Sequence, residues 1–170
     1  MSALRETFIE ELKDTYDAEH QITKALPKAI KNARHDELKS ALEAHLEETR
    51  GHIERLENVF EIFDETPKRK KCQGMEGIIA EGQELIENHE GDAALIAALQ
   101  KVEHYEIAAY GTLAAWAKLL EEDEAVGILE ETLNEESDAD EHLTEVAQSV
   151  INPEADEESE NTSEVSKEQK

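Results

Sequence analysis

KVEHYEIAAYGTLAAW, residues 101–116, is the stretch whose reading decides the fold. Through it and beyond, apolar residues recur every three or four positions, at Leu99, Val102, Ala109, Leu113, Trp116 and Leu120. That is the inward stripe of an amphipathic helix. The step between Val102 and Ala109 falls on Glu106, so a carboxylate stands where a core face calls for Leu. A lone acid there is ordinarily a boundary residue that reaches for water.

Working outward, the same pattern recurs on three more helices. The spacing predicts helix A from about Leu4 to Asn32, with stripe Phe8, Leu12, Tyr16, Glu19, Ile22, Leu26 and Ile30. Asp36 is a candidate N-cap for helix B, which runs from about Glu37 to Asp64. Its stripe is Leu38, Leu42, His45, Glu48 or Thr49, His52, Leu56, Val59 and Phe63. Helix C runs from about Asp92 to Glu121. Helix D runs from about Glu124 to Val150 through Leu129, Leu133, Glu136, Asp140, Leu143, Ala147 and Val150. Pro27 should kink helix A or break it locally. Between B and C, the breaker-rich ETPKRKKCQGMEG leads into a short helix from about Met75 to Asn88. The expected fold is all-α: a four-helix bundle of two hairpins, joined by a long crossover that carries an extra short helix. Residues 1–151 form the bundle. The apolar-poor stretch 152–170 reads as an acidic, disordered tail.

Every helix carries acid in its stripe, and the heights match. Glu19 lies about 15 residues before the A–B turn and Glu48 about 14 after it. Glu106 lies about 16 before the C–D turn and Glu136 about 14 after it. All four therefore sit roughly 20–24 Å from their turns. Four boundary acids at one level are much harder to explain than one. Clustered, unpaired carboxylates would be desolvated and would repel one another. Protons, bases or divalent cations must neutralise them. The stripes hold no Lys or Arg at this level, but they hold His45 and His52. Oxygen ligands with imidazole suit iron or manganese, and zinc less selectively.

The candidate metal ligands are therefore Glu19, His45, Glu48, Glu103, Glu106, Glu136 and Asp140, with His52 as a further candidate. His45, Glu48 and His52 are spaced i, i+3 and i+7 and share a face. Glu136 and Asp140 are i, i+4 neighbours. Glu103 lies one turn before Glu106, as ligand or as support. Glu135 is offset by about 100° and reads as exposed, and His104 is offset similarly. Tyr16 and Tyr110 flank the level as core aromatics or as hydrogen-bond supports for ligands.

Bulk composition narrows the function classes. The chain has 170 residues, 35% of them charged, with seven Gly and three Pro, which is a composition of long helices. A net charge of −26 opposes nucleic-acid binding. The basic run KRKK at 68–71 reads as a solvated loop, with contact to an acidic partner as the alternative. A single cysteine, Cys72, suits a reducing compartment. No apolar run approaches a membrane span, and the first residues lack the pattern of a signal peptide. A cytoplasmic protein is expected. Phosphate-binding glycine loops and nucleophile elbows are missing.

Four blocks, ELKDTYDAEHQITKALPK, HLEETRGHIERL, AALQKVEHYEIAAYGTLAAWA and ETLNEESDADEHLTEVA, resemble the YciE/YciF family of ferritin-like proteins. The resemblance extends over residues 3–152, and KCQGMEGIIAEG is similar to that family's extra helix. It implies a rubrerythrin-like bundle, a homodimer and a link to bacterial stress responses. HLEET and EHYE stand here as in the family, which supports His45, Glu48, Glu103 and Glu106. Position 52 is not a fixed histidine there. The wider ferritin-like pattern places Glu-x-x-His on each of two helices. Here helix B reads HLEE, in the reverse order, and His142 on helix D points away from the Asp140 face.

The leading expectation is a dinuclear carboxylate site holding two iron or manganese ions and reacting with dioxygen or peroxide. Glu48 and Glu136 or their neighbours would bridge the ions, Glu19 and Glu106 would be terminal, and His45 would cap one ion. A non-catalytic stress-induced scaffold with a degenerate site, or a metal buffer without turnover, is the alternative. The apolar residues of the crossover helix are the expected dimer contact.

Overall fold

The computed structural model describes residues 2–89 and 91–157. Over these the stripes become five α-helices: α1 Ala3–Asn32, α2 Asp36–Ile62, α3 Gln73–Asn88, α4 Asp92–Leu119 and α5 Asp123–Val146. No strand occurs among the described residues. A π-helical turn, Ala147–Ile151, prolongs α5, and residues 152–157 are helical after it. The tail expected from residue 152 therefore begins as helix; 158–170 lie outside the described residues. Among the described residues, no helix is long and apolar enough to cross a membrane.

Local chemistry explains the helix ends. Ser2 Oγ accepts from Arg5 N at 3.2 Å to open α1. His35, not Asp36, occupies the N-cap of α2, and Asp36 stands in the first turn, where its charge meets the positive end of the helix dipole. Asp64 and Glu121, at φ 53° and 63°, turn the chain out of α2 and α4 in the left-handed region. Pro27 does not break α1, which runs unbroken through it. It sits on the exposed side of the helix, where a carbonyl that loses its partner can turn to solvent.

The three-residue turns at 33–35 and 120–122 force each hairpin antiparallel. In the bundle, α1 and α5 each contact α4, and α2 contacts both α1 and α5. The crossover helix α3 lies against α4 and α1. Asp92, at the head of α4, accepts from Arg34 N at 2.9 Å and His35 N at 2.7 Å. The crossover has thus returned along the bundle, and α4 starts beside the α1–α2 turn. The basic run before α3 is not simply solvated. Arg69 Nε donates to Asp17 Oδ1 at 2.8 Å and Cys72 N to Asp17 Oδ2 at 2.9 Å, which straps this loop to α1.

The apolar core is divided in two. One cluster gathers Phe8, Leu12, Phe60, Leu113 and Leu129. The other gathers Ile22, Leu38, Leu42, Leu95 and Leu143. The buried polar side chains Glu19, His45, Thr49, His52, Glu103, Glu106, Thr132 and Glu136 come from the helix segments between the two. Two buried faces are rotated from the expected stripes. On α4 the face runs through Glu103, Glu106, Tyr110, Leu113 and Ala117, while Val102 and Trp116 are only partly covered. On α5 it runs through Leu129, Thr132, Glu136 and Leu143, which leaves Asp140 to one side.

Candidate metal centre

Each helix brings its polar residue to the same level because the two hairpins have arms of equal length. Glu19 of α1, His52 of α2, Glu106 of α4 and Glu136 of α5 each offer one donor atom, and these atoms lie within 4.8 Å of one another. A second set with the same property is His45, Glu103, Glu106 and Glu136. The two sets share Glu106 and Glu136. All six side chains are buried, with His45 the most accessible at 6%.

Individual distances describe a compact knot. His52 Nδ1 lies 2.8 Å from Glu136 Oε1 and 3.6 Å from Glu19 Oε1. His45 Nε2 lies 3.3 Å from Glu103 Oε1 and 3.9 Å from Glu136 Oε2. Yet both oxygens of Glu106, Glu136 Oε2, both nitrogens of His45, Glu19 Oε2 and Glu103 Oε2 make no hydrogen bond. So many orphaned buried polar atoms would be costly in a purely structural layer. Fully ionised, the four carboxylates would carry four negative charges that divalent cations would balance. The donor set therefore fits a metal centre by charge, spacing and unsatisfied lone pairs.

Without cations, protons must do this work. Burial, reinforced by Glu136 and only partly offset by His52, pushes the Glu19 carboxyl up to about 7. Burial and the neighbouring acids drive Glu103 and Glu106 well above the carboxylate range. Burial disfavours charge on His45, but Glu103 and the other acids outweigh it and raise its pKa to about 9. His52 is raised likewise, with Glu136 and Glu19 overcoming its burial.

Support comes from a surrounding ring of residues. Tyr110 OH donates a short hydrogen bond to Glu19 Oε1. His52 Nε2 meets Glu135 Oε2 at 2.8 Å. Arg55 donates to both oxygens of Glu135, with Nη2 to Oε1 at 2.9 Å. When Nε2–H donates to Glu135, a neutral His52 ring turns its Nδ1 lone pair toward the cluster. Thr49 returns its hydroxyl to His45 O at 2.7 Å and adds no charge.

Of the sequence candidates, Glu19, His45, His52, Glu103, Glu106 and Glu136 are brought together. Glu48 is not: its side chain is 49% exposed, 3.6 Å from His45 Nδ1, because the α2 stripe passes through Thr49. Asp140 is not either. It lies beside α4, with Oδ2 3.2 Å from His104 and Oδ1 accepting from Gln100, one step off the buried face of α5. Tyr16 bonds Glu57 instead of the cluster. Glu135, read as exposed, is two-thirds covered and touches His52. Its partner Arg55 lies 80 positions away, so no local spacing pointed to it.

Two hollows reach this level. One, between α2 and α5, has an open volume of about 320 Å³ and is lined by His45, Glu48, Glu103, Asp138 and His142. The other, among α1, α3 and α4, is lined chiefly by apolar residues such as Ile22, Leu26, Ile79 and Leu95, with Glu103 at its inner end.

Comparison with known proteins agrees with this architecture. The profile of a domain of unknown function, DUF892, matches residues 3–156. Protein YciF of Escherichia coli K12 is 48% identical over 161 residues, covering 92% of this chain and 97% of its own. The crystal structure of that E. coli stress protein superposes with a TM-score of 0.82, over 86% of this chain and 96% of the other. YcfI of Rhodopseudomonas palustris, 43% identical, also gives 0.82, over 84% and 94% of the two chains. A ferritin-like, diiron-carboxylate protein of Bacillus anthracis is 17% identical, with a TM-score of 0.68 over 86% and 99%. At that identity it shares the fold alone.

Proposed function

This chain belongs to the DUF892 family, and from that footing we propose that its buried cluster binds two divalent ions, iron or manganese, within a ferritin-like bundle that serves a bacterial stress response. The observation that carries the reading is the sharing of Glu106 and Glu136 by two four-residue donor sets, with both oxygens of Glu106 and Glu136 Oε2 unsatisfied. Glu106 and Glu136 would bridge. Glu19 and His52 would complete one ion's shell, and Glu103 and His45 the other's. The bridging role expected of Glu48 passes to Glu106, because Glu48 faces the rim. When bound, such a pair supplies redox chemistry toward dioxygen or peroxide.

The chain's own residues orient and isolate that pair. Tyr110 fixes Glu19 through its hydroxyl. Glu135 fixes the tautomer of His52. The two apolar clusters above and below the layer exclude bulk water and strengthen every charge interaction between them. The stress role is carried over from the E. coli relative's description as a stress protein.

The test is metal titration of protein freed of metal, followed by thermal unfolding. A ligand bound only by the folded state adds about 2.7 kcal/mol at a hundredfold excess over its dissociation constant. Fe²⁺ or Mn²⁺ should bind at two per chain and raise Tm. Glu106→Gln should leave the metal-free protein unchanged or more stable, while cutting both the stoichiometry and the Tm rise. An unchanged rise in this variant removes Glu106 from the site. No rise with any divalent ion in the wild type favours the scaffold reading.

A further inference from the structure

The cleft between α2 and α5 holds residues that the proposed centre does not use. Glu48 stands at its mouth, 49% exposed. Asp138 is exposed, and His142 is 45% exposed on the opposite lip. Ala44 and Ala139 line the walls between them, and their small side chains keep the gap open. The open volume of about 320 Å³ is several times the ~30 Å³ of one liquid water.

The floor of the cleft is the second independent observation. His45 and Glu103 close it, and both are more than nine-tenths buried. His45 faces two ways: Nδ1 lies 3.6 Å from Glu48 Oε2 outside, and Nε2 lies 3.3 Å from Glu103 Oε1 inside. Neither nitrogen has a hydrogen-bond partner, and Glu103 Oε2 has none. A chain of donors thus runs from solvent to the buried cluster. The hollow on the other side of the bundle also ends on Glu103, but its walls are chiefly apolar and its outer carboxylate, Glu87, is paired with Lys28 at 3.7 Å. A hydrated cation would meet there no free carboxylate at the mouth and an apolar wall along the way.

We propose that the α2–α5 cleft is the passage by which a hydrated divalent cation reaches the buried cluster, with Glu48, Asp138 and His142 as a transient outer site and His45 handing the ion from Glu48 to Glu103. The inference rests on the metal-centre reading. Carboxylates at the mouth raise the local cation concentration and speed capture by electrostatic steering. Stepwise exchange of water for the Glu48 oxygen and then a His45 nitrogen spreads the dehydration cost along the path. Glu48 thus keeps a role although it stands outside the cluster.

The experiment is rapid mixing of metal-free, full-length protein with Co²⁺, whose visible absorption reports coordination, at low and high salt. Glu48→Gln with Asp138→Asn should slow uptake about tenfold or more at low salt, within the range steering supplies. It should flatten the salt dependence and leave the final stoichiometry at the wild-type value. Ala139→Phe, which narrows the cleft without changing charge, should slow uptake at both salt concentrations. Wild-type rates in both variants overturn the passage. A lower final stoichiometry in the Glu48→Gln, Asp138→Asn protein also overturns it, since those residues would then be resident ligands. A wild type that takes up no Co²⁺, Mn²⁺ or Fe²⁺ overturns the metal centre itself, a result distinct from unaltered rates.

Discussion

His52 is held from both sides. Its ring lies edge-on to Tyr110 at 6.2 Å, its Nδ1 meets Glu136, and its Nε2 meets Glu135. Arg55 clamps Glu135 and keeps that carboxyl below the usual range. The clamp holds the buried ring with Nδ1 aimed into the cluster, where a metal ion would displace the proton it otherwise carries. Removing the outer carboxylate should therefore be felt at the cluster. Glu135→Ala should weaken Mn²⁺ binding about 10–100-fold, the usual cost of losing such an outer partner. Glu131→Ala removes only an exposed contact to Arg55 and should leave affinity unchanged. Competitive titration against a chelator compares the two. Equal affinities would show that Glu135 does not position His52.

At the scale of elements, α3 decides how α4 is buried. It lies against α4 and helps bury Leu95, Ala98 and Leu99, so α4 is covered on more than the bundle side. Gly82 allows this approach: a Cβ built there would stand 3.0 Å from Ala98 Cβ. Gly82→Val should force the two helices apart and cost about 1–3 kcal/mol, the usual range for overpacking. Gly127, on the exposed side of α5, has nothing within 4 Å of an added Cβ. Gly127→Ala should gain about 1 kcal/mol from helix propensity. Urea unfolding of the two variants should shift in opposite directions. A neutral Gly82→Val would mean that the α3–α4 contact yields without cost.

For the whole molecule, the charge of the buried layer sets the response to pH. The resolved shifts of the cluster, at Glu19, Glu103, Glu106, His45 and His52, are all upward. In the metal-free protein the folded state then binds more protons than the unfolded one. These groups stabilise fully below their unfolded values, and the stability is lost as pH rises through about 7 for Glu19 and about 9 for His45. Self-repulsion from the net charge of −26 acts in the same direction. Tm of the metal-free protein should fall between pH 5 and pH 9. The rise caused by metal should be larger at pH 7 than at pH 5, because protons compete for the ligands. A Tm that increases over this range without metal would contradict the buried-acid account. Homodimerisation, proposed from the family resemblance, is checked by sedimentation at micromolar concentration, which should give twice the 19.1 kDa chain mass. The apolar side chains Ile78, Ile79 and Ile86 of α3, the contact expected for it, are partly buried against the core and line the apolar hollow among α1, α3 and α4. Among the described residues, Leu119 at 71% is the large apolar side chain left exposed.

Four stripes broken by acid at matched heights were legible from spacing alone, because the rise per residue of a helix is fixed and short turns force hairpins antiparallel. From that followed the bundle, the crossover helix and the meeting of Glu19, Glu106 and Glu136. Spacing does not fix helix rotation to within one residue. Each residue step turns a side chain by about 100°, and packing against neighbours sets the final angle. That rotation put Thr49 rather than Glu48 on the buried face of α2, moved Asp140 aside, and turned Glu103 inward with Glu106. The Arg55–Glu135–His52 clamp joins positions 80 and 83 apart, and the cleft past His45 lies between helices from different hairpins. The sequence by itself determined that a charged layer crosses the core. Which side chains compose it, and which stand at its door, was decided only when packing fixed the rotation of each helix.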